Sequence, residues 1–138
     1  MTGITRRQAG GGVAALGLAT LARRAAAQGG TVKIGSLHPL TGPLALDGKQ
    51  MDDAIKLAAE AINAAGGIKA LGGAKLEILS ADTQGRPDVG QTEAQRQIDS
   101  GAVALIGCYQ SAVSQNVATV ATRARVPLVL DITAADSV

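Results

Sequence analysis

Four times along this 138-residue chain a short apolar run ends in a polar loop, and three of those loops run into a segment of helical periodicity. The first such unit, VKIGSLHPLTGPLALDG (Val32 to Gly48), sets the pattern. Thr31 to Leu37 reads as a strand, and a Pro/Gly-punctuated loop follows it. A helix is expected from Asp47, with Gln50 reaching back as in a capping box. Met51, Ile55, Ala58 and Ile62 mark its apolar face, Asp52, Lys56 and Glu60 lie on other faces, and Gly66-Gly67 closes it. The same grammar predicts strands at Lys75 to Ala81, Val103 to Gly107 and Pro127 to Ile132. Helices are expected from Pro87 or Asp88 to near Gly101, and from Ser111 with Val113, Val117, Val120, Ala121 and Ala124 on one side. Val103 to Gly107 is continuously apolar, as for a strand covered on both faces. The order β-α-β-α-β-α-β with short loops predicts an α/β fold, a doubly wound parallel sheet with right-handed crossovers.

In such a sheet, ligands bind outside the carboxyl ends of the strands, where successive connections leave in opposite directions. The loops at those ends are His38 to Asp47, Asp82 to Arg86, Cys108 to Ser114 and Asp131 to Ser137, and all are polar. Ser111 and Ser114 open the third helix, where free backbone N–H groups and the helix dipole favour an anion. A carboxylate can accept from the Ser111 hydroxyl and a nearby N–H. The plainer role for Ser111 is that of an N-cap.

Enzymatic alternatives have less support. His38 and Cys108 follow strands that are neighbours in a 2-1-3 order, so a Cys/His pair is geometrically conceivable. A lone Cys is more often a small buried hydrophobe. Gly66-Gly67 and Gly72-Gly73 neither follow a strand nor open a helix, so no dinucleotide fingerprint exists. There is no G-x-x-x-x-G-K-[ST] and no G-x-S-x-G motif. Asp52, Asp53 and Asp82 lack metal-ligand spacing and read as solvated, and one Cys excludes an internal disulfide or a multi-Cys metal site. Neither a cofactor nor a metal is expected.

Residues Met1 to Ala27 have the character of an export leader. Arg6-Arg7 precede a mildly apolar Ala/Gly/Leu/Val run, and Arg23-Arg24 stand before the small residues Ala25 to Ala27. The Arg pair and the Gly-rich run resemble the twin-arginine class, although Ala9 occupies the position where a bulky apolar residue is usual. The run is too short and too rich in Gly to span a bilayer, so no stable membrane insertion is expected once the leader is cleaved near Ala27. The whole chain carries a net charge of +2, with thirteen Lys/Arg against eleven Asp/Glu. Four of those Arg lie in the leader, which leaves the remainder acidic. With Tyr109 as the only aromatic residue, base stacking is absent and nucleic acid is not an expected partner. The chain stops at Ser137-Val138 within an expected loop, and it reads as the N-terminal part of a larger protein.

Several segments together carry a family resemblance: IGSLHPLTGP with LALDG, AIKLAAEAINAAGGI, LEILSADTQGRPDVG, VALIGCYQSAVSQNVATVATRARVPLV and DITAAD. In combination they make the chain similar to the periplasmic solute-binding proteins of the branched-chain amino acid (Leu/Ile/Val-type) ABC uptake family, from Val32 to Val138. The resemblance implies that residues 28–138 form the N-terminal part of the first lobe of a two-lobed, type I periplasmic binding protein. Such a protein is not an enzyme. It traps a small solute between its lobes and presents it to permease subunits. By the same resemblance, Ser111, with Ala112 beside it, meets a ligand carboxylate. Ile132 and Ala134 meet an amino group, with Thr133 or Ser137 as an alternative hydroxyl, and Asp47 stands where an aromatic residue commonly covers the ligand. Because Asp47 is not aromatic and Ala134 replaces a common Thr, the expected solute stays open among amino acids, amides, urea and aromatic acids. The alternatives are a ligand-sensing lobe of a receptor or regulator with this fold and, less favoured, an exported hydrolase using Cys108 and His38.

Overall fold

The computed structural model describes residues 29–134, so the expected leader Met1–Ala27, and Ser137, lie outside the described residues. Strands β1 (Thr31–His38), β2 (Lys75–Asp82), β3 (Ala102–Gly107) and β4 (Leu128–Val129) lie parallel in the order β2-β1-β3-β4. The crossovers are α1 (Ala45–Ala64), α2 (Pro87–Asp99) and α3 (Ser111–Ala124), with a 3-10 turn at Lys69–Leu71 ahead of β2. This is the doubly wound parallel sheet that the element order predicts.

Alternation along the strands assigns the two faces of the sheet. Ser36 of β1 and its register partner Ser80 of β2 both reach Asp52 of α1. Their neighbours Leu37 and Ala81 point the other way, into a core with Leu105, Ala94 of α2, and Val113, Val117, Val120 and Ala121 of α3. Thus α1 covers one face, α2 and α3 the other, and the connections diverge between β1 and β3.

Several local expectations need correcting. Helix α1 begins at Ala45 rather than Asp47, and no side chain caps it. The preceding turn supplies the acceptors instead, through Ala45 N–H to Gly42 O (3.1 Å) and Gly48 N–H to Leu44 O (3.0 Å). The buried side of α1 is Gly48, Asp52 and Ala59, whereas Ile62 is 43% exposed. The apolar periodicity therefore misplaces the stripe, because the sheet surface beneath α1 carries serine hydroxyls that select a carboxylate. Val103 is 55% exposed, because β1 and β3 shift register between Lys33 and Ile34 and leave Val103 unpaired with β1. Strand β4 shrinks to two residues as the chain turns aside at Asp131. Helix α3 starts at Ser111, but its N-cap is Gln110, whose carbonyl accepts from Val113 and Ser114. Ser111 is the first helical residue, not the cap.

Candidate functional site

The polar loops gather at the carboxyl edge of the sheet, and two carboxylates organise them. Asp82, at the end of β2, accepts from the Leu40 N–H (2.8 Å), the Thr41 hydroxyl (2.6 Å) and the Gln84 N–H (2.8 Å). It therefore anchors the loop after β1 to the loop after β2, where the sequence suggested only a solvated side chain. Burial pushes its carboxyl up, but the Thr41 hydroxyl and these backbone N–H groups outweigh that and hold it below the ordinary value. Asp131, after β4, accepts from His38 Nε2 (2.6 Å) and, on its other oxygen, from the Ile132 N–H (2.8 Å). Burial again pushes the carboxyl up, and the hydrogen bond and charge of His38 lead the contributions that bring it below the ordinary value.

The residues expected to meet a ligand fall into two groups. Asp47, Tyr109 and Ile132 line one depression of about 330 Å³, with Gln50, Met51 and Ala54. Across it the Tyr109 hydroxyl donates to Asp47 Oδ2 at 3.1 Å. The hydrogen bond and charge of Asp47 raise the pKa of that phenol. Tyr109 and the Asp131 anchor are absent from the expected site. The one available signal was that the chain's sole aromatic residue stands in the Cys108 to Ser114 loop.

Ser111 and Ala112 stand at the first turn of α3, where backbone N–H groups lack helical acceptors. The Ser111 hydroxyl makes no hydrogen bond among the described residues, so it is available to an incoming acceptor. Ser114, one turn on, is buried and committed: its hydroxyl meets Thr133 Oγ1 at 2.9 Å and donates to Gln110 O at 3.2 Å. Thr133 in turn lies 3.4 Å from the Cys108 carbonyl, so its hydroxyl braces the 131–134 loop against α3. Exposed Ala134 ends the described residues. A second depression, about 240 Å³, lies between Pro39, Thr41, Leu44, Gly85 and Gln110 on the same edge. A third, about 620 Å³, is a groove between α2 and α3 that includes none of these loop residues.

Cys108 and His38 do not form the activated pair that a nucleophile needs. Both His38 ring nitrogens have other partners, Ser36 and Asp131. Cys108 is fully buried, and burial, with the nearby Asp131 charge, pushes its thiol up to about 12. In the native protein it is expected to react with iodoacetamide near pH 8 more than about a hundredfold slower than in urea. Labelling at the rate of a free thiol would contradict the burial. Among the described residues no three His, Cys, Asp or Glu side chains gather to hold a metal ion. No helix among them is long and apolar enough to cross a membrane.

Residues 31–137 match the family model described as periplasmic binding protein. The chain is 36% identical over 89 residues to Leu/Ile/Val-binding protein homolog 3 of Brucella melitensis, a match covering 64% of this chain and 23% of that protein. It is 35% identical over 115 residues to homolog 7 of Brucella abortus, covering 82% of this chain and 28% of the other. Its fold is similar to LivJ, the branched-chain amino acid transporter substrate-binding protein of Streptococcus pneumoniae, solved with isoleucine. That likeness has a TM-score of 0.72 at 29% identity, over 77% of this chain and 30% of LivJ. A solute-binding protein of Rhodopseudomonas palustris, solved with 3,4-dihydroxybenzoic acid, gives 0.66 at 30% identity, over 75% and 27% of the two chains. The chain thus spans about a quarter of the length of these relatives.

Proposed function

Since the chain belongs to the periplasmic binding protein family, we propose that it supplies one wall of the ligand cleft in an exported binding protein for a small, carboxylate-bearing solute. The whole protein captures the solute in the periplasm and hands it to the permease subunits of an ABC importer, with no reaction catalysed. The supporting observation is the first turn of α3. There a free Ser111 hydroxyl and unpaired N–H groups, Ala112 included, stand at the switch point of the sheet, where an anion is best received. Ile132 and Ala134 then offer backbone groups to the other end of the solute. Aromatic cover, not available from Asp47, comes from Tyr109 on the facing loop. The isoleucine and dihydroxybenzoate seen in two structural relatives both carry a carboxylate, which supports that class of solute.

A thermal-shift screen of the whole protein against leucine, isoleucine, small amides and 3,4-dihydroxybenzoate tests the reading. A bound solute raises the melting temperature with concentration. Ser111→Ala is then expected to weaken the hit about 10- to 100-fold, the value of a hydrogen bond to a charged group. Shifts by amides but by no carboxylate, or an unchanged affinity in Ser111→Ala, would remove the carboxylate role.

A further inference from the structure

His38 has more hydrogen-bonding obligations than a neutral imidazole can meet. It is fully buried at the end of β1, with Nδ1 3.1 Å from Ser36 Oγ and Nε2 2.6 Å from Asp131 Oδ2. Ser36 has one hydroxyl proton, and Asp52 Oδ1, only 2.6 Å away, takes it. Asp52 is a carboxylate, bound also by the Ser80 hydroxyl and the Lys56 ammonium, and it has no proton to give. Nδ1 must therefore donate to Ser36. Nε2 faces a second carboxylate and must donate there as well.

We propose that His38 is an imidazolium whose task is to position the Asp131–Ala134 loop, one wall of the cleft, without itself touching solute. Charge balance supports this. Two carboxylates, Asp52 and Asp131, and two cations, Lys56 and His38, make a neutral cluster. With a neutral imidazole the cluster would hold an uncompensated negative charge largely out of water. Asp82, the register partner of His38 on β2, is turned to Leu40, Thr41 and Gln84. The Cys108 thiol, from the loop after β3, is neutral. Asp82 adds a negative charge that those donors meet, and Cys108 adds none.

The bridge acts on the backbone. Asp131 holds His38 with one oxygen and the Ile132 N–H with the other, which fixes the peptide leading into Ile132–Ala134. On the other side Thr133 is braced by Ser114. With β4 only two residues long, these two ties replace the strand pairing that would otherwise hold the loop.

The loop's meaning as a ligand wall rests on the proposed function, but the protonation state does not. In the whole protein labelled with ¹⁵N-histidine, and assigned with His38→Gln, both His38 ring nitrogens are expected to carry protons near pH 7. A singly protonated ring would overturn the proposal. Amide hydrogen exchange reads the positioning: Ile132 is expected to exchange at least about tenfold faster in Asp131→Asn, with β1 and β2 amides unchanged. Unchanged Ile132 exchange would overturn it. The solute screen can fail while both of these readouts stand, and the reverse, so the two readings are separately testable.

Discussion

Asp52→Ala is expected to destabilise the protein by about 3 kcal/mol, seen as a lower urea midpoint at unchanged slope. Asp52 is only 3% exposed and accepts from the Ser36 and Ser80 hydroxyls and the Lys56 ammonium. Alanine leaves the Ser36 hydroxyl in the sheet without its acceptor, and an unmet buried polar group costs about 1–3 kcal/mol. It also unpairs Lys56, a smaller loss because that ammonium is half in solvent. The pH dependence has a definite sign. Burial pushes the Asp52 carboxyl up, yet Lys56, Ser36 and Ser80 together outweigh it and hold it below its ordinary value of 3.8. A depressed carboxyl contributes stability that is full above that ordinary value and fades as pH falls through the folded-state value. The gap between wild type and Asp52→Ala is therefore expected to narrow as pH falls below about 4. A gap that stays constant into strong acid would mean that the charge is not what binds α1 to the sheet.

Gly48→Ala is expected to be comparably damaging, about 3 kcal/mol, for a steric reason. A methyl group at Gly48 would overlap the Pro39 carbonyl oxygen, which is backbone and cannot turn aside. To relieve the overlap, α1 must move away from the loop after β1. Asp47 moves with it, so solute binding is expected to fall together with the melting temperature. Gly30→Ala is the control, since an added methyl there meets nothing within 4 Å. Equal effects of the two substitutions would show that the close approach of Gly48 to Pro39 is unimportant.

These two residues mark where sequence reasoning succeeds and where it stops. The four strands, three helices and their parallel order are legible because apolar runs and Gly/Pro punctuation report local preference, and the crossover rule does the rest. The position of Asp52 is not legible. A carboxylate on an amphipathic helix reads as solvated until the opposing strand surface is known to carry Ser36 and Ser80. Likewise Asp47 satisfies the local rule for a cap, and only the fold brings Tyr109 to it from 62 residues away. Ser111 is the mixed case. Its place at the carboxyl edge of the sheet follows from the order of elements. Its freedom follows from Gln110 having taken over the capping position, which no spacing rule announces.

The placement of β1 has a consequence for how the chain acquires its structure. β1 is an interior strand of the described sheet, and its neighbours β2 and β3 are about 40 and about 70 residues further along the chain. Among the described residues no hairpin seeds the sheet, so every ladder there must close a long segment before any pairing is gained. Folding is expected in the slow range for mixed domains, with α2 and α3, neighbours in sequence, able to pack on each other before the ladders close. Until then the Thr31–His38 segment has both of its edges unpaired. A cell that makes this protein must therefore keep its first strand from pairing with other chains while the partners for it are still being made.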